Sequence, residues 1–221
     1  MTDPLINERK MVGFVRDPLP TVGALSLKSK NARADLEWLG WRNIDSLPLL
    51  WALSGSGDPD VALNHLVRLY QALEEESPQA RDEIDQRLRS DEAFRVRLIA
   101  LLGGSSAIGD HLVANPEQWV LLCKDAPTRE EMFAEMLASV EATPAELAIE
   151  DNPETTNSAS AALTTPGTYR AGITGPDAER FLRWTYRTIM MRLAALDLSG
   201  TYPNDARRKG QPRADLSTAA R

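Results

Sequence analysis

Asp58-Pro59-Asp60-Val61-Ala62-Leu63-Asn64-His65-Leu66-Val67-Arg68-Leu69-Tyr70 is the stretch whose reading decides the fold. Asp58 offers an acceptor side chain just before Pro59, the one residue with no amide hydrogen to satisfy, and that order marks a helix N-terminus. Leu63, Leu66, Val67 and Tyr70 follow at helical spacing and predict a single buried stripe. Glu74-Glu75-Glu76, Ser77 and Pro78 then break the helix with a charged turn.

The same grammar continues on both sides. Residues 79–102 predict a second helix, interrupted near Ser90-Asp91, which ends in Leu98-Ile99-Ala100-Leu101-Leu102 and is closed by Gly103-Gly104. Ser105 and Ser106 are placed to cap a short helix through Ile108, Leu112 and Val113. Asn115-Pro116 repeats the cap-then-proline device, with Trp119, Leu121 and Leu122 facing inward from the helix it opens. Thr128 and Glu131 have the spacing of a capping box and start a helix to about Val140. Before Asp58, Ala32, Leu36 and Leu39 predict a helix stopped by Gly40, with Trp38 and Trp41 anchoring the corner. No strand alternation of comparable strength interrupts this pattern, so the expected fold class is all-α.

The expected organisation is an irregular arm over 1–30 packed by Phe14 and Val15, a helical domain over 31–141, and a flexible linker or loop over 142–175. The linker follows from the Thr, Ser, Ala, Asn and Pro that dominate Thr143 to Pro166. A long amphipathic helix is expected over 176–198, with Phe181, Thr185, Ile189, Leu193 and Leu196 on one side and Arg180, Arg183, Arg187 and Arg192 lining much of the rest. A polar, basic tail, 199–221, completes the chain; Asp215 to Arg221 reads as a helix start that is cut off, which suggests an interruption.

Bulk properties narrow the function classes. Of 221 residues, 43% are hydrophobic and 26% charged, an ordinary globular balance. A net charge of −7 argues against a nucleic-acid binder. The lone Cys123 cannot form an internal disulfide, and no run approaches the roughly 20 apolar residues that cross a bilayer. A cytoplasmic location without membrane contact is expected.

Candidate chemistry is sparse. Gly55-Ser56-Gly57-Asp58-Pro59-Asp60 has the ingredients of a nucleotidyltransferase metal site, where a glycine turn admits phosphate and an Asp-x-Asp pair bridges magnesium. There the aspartates lie on a strand; here Pro59 separates them at a helix start, and the capping role is the stronger reading. His65 and His111 lack partners at metal-ligand spacing, and Asp110-His111, adjacent on a helix, point different ways. Cys123 ends an apolar run and reads as a core residue, and Gly103-Gly104-Ser105-Ser106 reads as a helix corner rather than an anion cradle. The arginines of 176–198 read as a solvated face. No catalytic, cofactor-binding or metal-ligating residue is assigned in this chain.

Leu101 to Trp119, with Gly103-Gly104-Ser105-Ser106, Asp110-His111 and Asn115-Pro116-Glu117-Gln118-Trp119, resembles the N-terminal region of bacterial glutamine synthetase adenylyltransferase, most closely its actinobacterial branch. Asp35-Leu36-Glu37-Trp38-Leu39-Gly40-Trp41, Asp58-Pro59-Asp60-Val61-Ala62-Leu63 and Leu182-Arg183-Trp184-Thr185-Tyr186-Arg187, with Arg192 to Leu198, agree in the same order. The resemblance implies a much longer, two-headed, multifunctional nucleotidyltransferase of nitrogen regulation. One active site transfers AMP from ATP to a tyrosine of glutamine synthetase and another removes it by phosphorolysis, under control of glutamine and a PII-type signalling protein. It implies ATP and magnesium for the full-length enzyme, held by an Asp-x-Asp motif that has no counterpart here. The expected partners are therefore glutamine synthetase and a PII-type protein, and the chain, as an N-terminal helical fragment, is expected to be inactive alone. A stand-alone helical module binding either partner is the alternative expectation.

Overall fold

The computed structural model describes residues 19–144 and 169–200, and the fold they form is all-α. The expected packing by Phe14 and Val15, most of the linker and the basic tail with its helix start lie outside the described residues.

Helix α3 (Pro59–Glu76) organises the bundle. The Asp58 carboxylate accepts from the Asp60 and Val61 amides at 3.1 Å, satisfying two donors that the first turn leaves open. Leu63, Leu66, Leu69, Tyr70 and Leu73 are almost fully buried along one face. Asp58→Ala is expected to lower stability by about 1–2 kcal/mol, as cap removal does; a urea melt checks it, and Asp58→Asn should recover most of the loss.

Around α3 stand α1 (Ala32–Trp38), α2 (Leu47–Ser54), α4 (Pro78–Ser90), α5 (Glu92–Gly104) and α6 (Ser106–Ala114). The interruption expected near Ser90-Asp91 is a full break. Asp91 takes an extended conformation and its carboxylate caps α5 through the Phe94 amide at 3.0 Å, which holds that carboxyl below its usual range. Helix α5 buries Phe94, Leu98, Ile99, Leu101 and Leu102 on several sides, as a helix must when neighbours surround it. It packs on α3, α2, α4 and α6, and the long α8 (Gly175–Leu198) closes over it.

Gly40 ends the turn after α1 at φ +71°, a conformation open to glycine at little cost. Trp41 next to it is fully buried, whereas Trp38 stays 39% exposed beneath the Arg81 guanidinium, 4.7 Å from its ring. The corner is thus anchored by one tryptophan rather than two.

Three local expectations are corrected. Asn115 does not cap the segment it precedes, and that segment, Pro116–Cys123, is a 3-10 helix with Trp119 and Leu122 turned in and Leu121 half-buried. Helix α7 (Arg129–Ala138) opens with the expected Thr128–Glu131 capping box but stops before Val140. The segment after it is not wholly irregular: Thr143–Pro144 (β1) pairs antiparallel with Tyr169–Arg170 (β2), and the Gly172 and Ile173 amides donate to the Val140 carbonyl at 3.0 Å. No single helix among the described residues is long and apolar enough to cross a membrane.

Candidate functional site

The acidic turn that invites a metal reading is fully employed in structure. The Asp58 carboxylate caps α3, and Asp60 accepts from the Lys28 amide at 3.0 Å and the Ser29 amide at 2.9 Å, pinning the segment that buries Leu25 and Leu27. Gly103 contributes its carbonyl to the Asp58 amide at 3.0 Å, and Ser105 caps α6 through the Ile108 amide. The glycine-serine corner therefore joins α3, α5 and α6. Cys123 is half-buried, and burial pushes its thiol above the ordinary value, away from reactivity.

Asp110 and His111, adjacent on α6, point different ways as expected. His65 is buried in α3, with Nδ1 donating to the Leu102 carbonyl at 3.0 Å and Nε2 3.4 Å from the Asp110 carboxylate. Arg68 reaches the same carboxylate at 2.6 Å, and its guanidinium holds the Asp110 carboxyl below the usual range. His111 points the other way, onto α8.

Between α6 and α8 lies a cleft of about 620 Å³ walled by Ile108, Asp110, Asn115, Trp184 and Arg187, with His111 at its base. A connected set of polar groups ties His111, Asn115 and Trp184 of the cleft's lining to Thr188 and Gln118 outside it. The Thr188 hydroxyl lies 3.3 Å from His111 Nε2 and 3.1 Å from the Gln118 carboxamide oxygen. Asn115 donates to the His111 carbonyl at 2.8 Å, and its oxygen accepts from the Trp184 indole at 3.1 Å. That long-range bond is why Asn115 does not cap the next helix: its carboxamide is spent on α8. Arg192 also departs from expectation. It turns inward, nearly buried, and pairs with Glu135 of α7 at 2.6 Å, whereas Arg180, Arg183 and Arg187 face solvent.

No family profile and no solved structure matches the chain. Curated relatives do. The bifunctional glutamine synthetase adenylyltransferase/adenylyl-removing enzyme of Corynebacterium efficiens is 71% identical over 100% of this chain, a match that takes in 21% of that protein. The chain belongs to this adenylyltransferase/adenylyl-removing family. The enzyme of the same description from Corynebacterium glutamicum is 65% identical over 99% of the chain and 21% of its own length; that of Nocardia farcinica is 43% identical over 93% and 19%. The chain thus spans about a fifth of the length of these relatives and corresponds to a portion of the family's enzyme.

Within this portion of the adenylyltransferase, Asp110 and His111 both line the cleft but do not pair with each other: Asp110 meets Arg68 and His65, and His111 meets Thr188. No group of three or more metal-ligating side chains converges among the described residues. Asp58 and Asp60 are not set up as a magnesium pair: both oxygens of Asp60 accept from the Lys28 and Ser29 amides, and Asp58 Oδ1 accepts from the Asp60 and Val61 amides. Sequence reasoning missed the contributions of Asn115, Trp184 and Thr188, whose partners lie about seventy residues away; Trp184 and Tyr186 surfaced only within a family-like segment.

His111 carries a pH signature. Burial lowers its pKa below the ordinary 6.5, outweighing the support that the Gln118 carboxamide gives the charged form, and Arg187 adds to the lowering. The unfolded chain therefore takes up this proton first. The contribution is fully present above pH 6.5 and is lost as pH falls below it through the folded-state value. Urea midpoints taken downward from pH 8 are expected to fall more steeply for the parent than for His111→Gln.

Proposed function

We propose that this chain is the N-terminal helical portion of an enzyme that attaches AMP to glutamine synthetase and removes it again. The observation that carries the reading is the identity of 71% across the whole chain within a match that occupies 21% of the relative. In this reading ATP and magnesium are held elsewhere in the enzyme; the commitment of Asp58 to a cap, Asp60 to backbone amides and Asp110 to an ion pair supports it. The helices supply a rigid body against which a catalytic domain is held, and the partners of the whole enzyme are glutamine synthetase and a PII-type regulator. An acidic chain of net charge −7 supports neither nucleic acid as a partner nor an anionic surface, and the enzyme works in the cytoplasm.

A graft tests this. Residues 1–221 replace the matching portion of the Corynebacterium efficiens enzyme, and AMP transfer to glutamine synthetase and AMP release from it are measured. Both activities are expected within about threefold of the parent, because substitutions away from buried and reacting positions are mostly near neutral. A folded graft devoid of both activities would overturn the proposal.

A further inference from the structure

Among the described residues, part of the surface of helix α8 has no partner. Tyr186 is 56% exposed, Trp184 46% and Phe181 36%, on a helix whose opposite face is core. Tyr186 stands on a ridge between two hollows. One is the α6–α8 cleft of about 620 Å³; the other is an apolar groove of about 280 Å³ between α7 and α8, lined by Met132, Phe133 and Met136. Helix α7 buries none of its residues fully; Phe133 meets the Tyr169 ring edge-on at 5.8 Å, and the adaptable Met132 and Met136 stay half-buried on the groove face. Contiguous apolar surface of this kind with a polar rim marks an interaction site.

The unmatched ionic side chains that line the two hollows are both arginines. Arg187 lies in the first hollow and Arg129 in the second, and neither has an ion-pair partner among the described residues. Asp110, the one acid lining either hollow, is matched with Arg68, and on α8 Asp177 is matched with Arg180 and Glu179 with Arg183. We propose that the ridge and its two hollows form a docking surface for an amphipathic, acidic helix of a partner polypeptide. Its apolar side chains enter the hollows on either side of Tyr186, and its carboxylates meet Arg129 and Arg187. Helix-in-groove recognition places anchors on successive turns, which suits two hollows divided by a ridge. Two unmatched arginines on a chain of net charge −7 are too few to hold a nucleic-acid backbone.

The test uses the full chain and a fluorescent helical peptide of about 18 residues, with leucines at i, i+3, i+4 and i+7 and glutamates elsewhere. A counterpart with lysines in place of glutamates and vesicles of phosphatidylglycerol serve as further probes. The glutamate peptide is expected to bind, with affinity that falls as salt rises. Tyr186→Ala and the double change Arg129→Glu with Arg187→Glu are each expected to weaken it by about tenfold or more. These side chains are exposed, so both variants keep the parent's helical signal and melting temperature. Equal binding of the two peptides, or no loss in either variant, overturns the proposal. So does self-association of the chain, or vesicle binding, that Tyr186→Ala removes in place of peptide binding.

Discussion

Phe94→Ala is expected to cost about 3–5 kcal/mol, the range for emptying a buried aromatic site. Phe94 opens the first turn of α5 and is 1% exposed. Its ring centroid lies 5.4 Å from that of Trp119, tilted by 59°, so it joins α5 to the 3-10 segment. Helix α5 touches α2, α3, α4, α6 and α8, and a cavity at its start loosens several neighbours together. Phe94→Leu keeps most of the volume and is expected to cost about 1–2 kcal/mol. Urea unfolding of both variants checks the pair, and a loss under 1 kcal/mol for Phe94→Ala would remove Phe94 from the core.

Gly109→Ala is the second large effect, and its sign depends on a neighbour. Gly109 of α6 lies against His65 of α3; a Cβ there would stand 2.9 Å from both Nδ1 and Cε1 of His65. The imidazole cannot swing aside without breaking its bond to the Leu102 carbonyl, so overpacking of about 1–3 kcal/mol outweighs the gain of under about 1 kcal/mol from alanine in a helix. With the ring removed, only the helix preference is left. Gly109→Ala is therefore expected to destabilise the parent and to stabilise the His65→Ala variant, by about 0.5–1 kcal/mol in the latter. A double-mutant cycle in urea measures the reversal; additive losses would mean that His65 is not what Gly109 makes room for.

Much of this architecture was legible because helix ends and buried stripes are local signals. Asp58-Pro59 and Thr128 with Glu131 act within one turn of chain, and the structure places their side chains on the amides their spacing predicts. The stripe through Leu63, Leu66 and Tyr70 needs only the helical period. Signals that depend on distant partners were not legible. Asn115 carries the same local cue as Asp58, yet its side chain is drawn to His111 and to an indole on α8. Arg192 sits among arginines that face water, and only the arrival of Glu135 from α7 turns it inward. The cleft beside Tyr186 is likewise a product of packing between helices far apart in sequence, so no spacing within either helix reports it.

The Asp58-Pro59-Asp60 sequence likewise takes its meaning from distant partners. An Asp-x-Asp sequence is chemistry only if its carboxylates are free, and in this fold amides hold both oxygens of Asp60 and one of Asp58. The direct measurement is turnover by the purified chain, given glutamine synthetase with ATP and magnesium in one arm and AMP-modified glutamine synthetase with phosphate in the other. With the helical portion acting only as a scaffold, AMP is neither attached nor released above the rate without the chain. Release or attachment of AMP that scales with chain concentration would contradict it and place a catalytic centre within these residues.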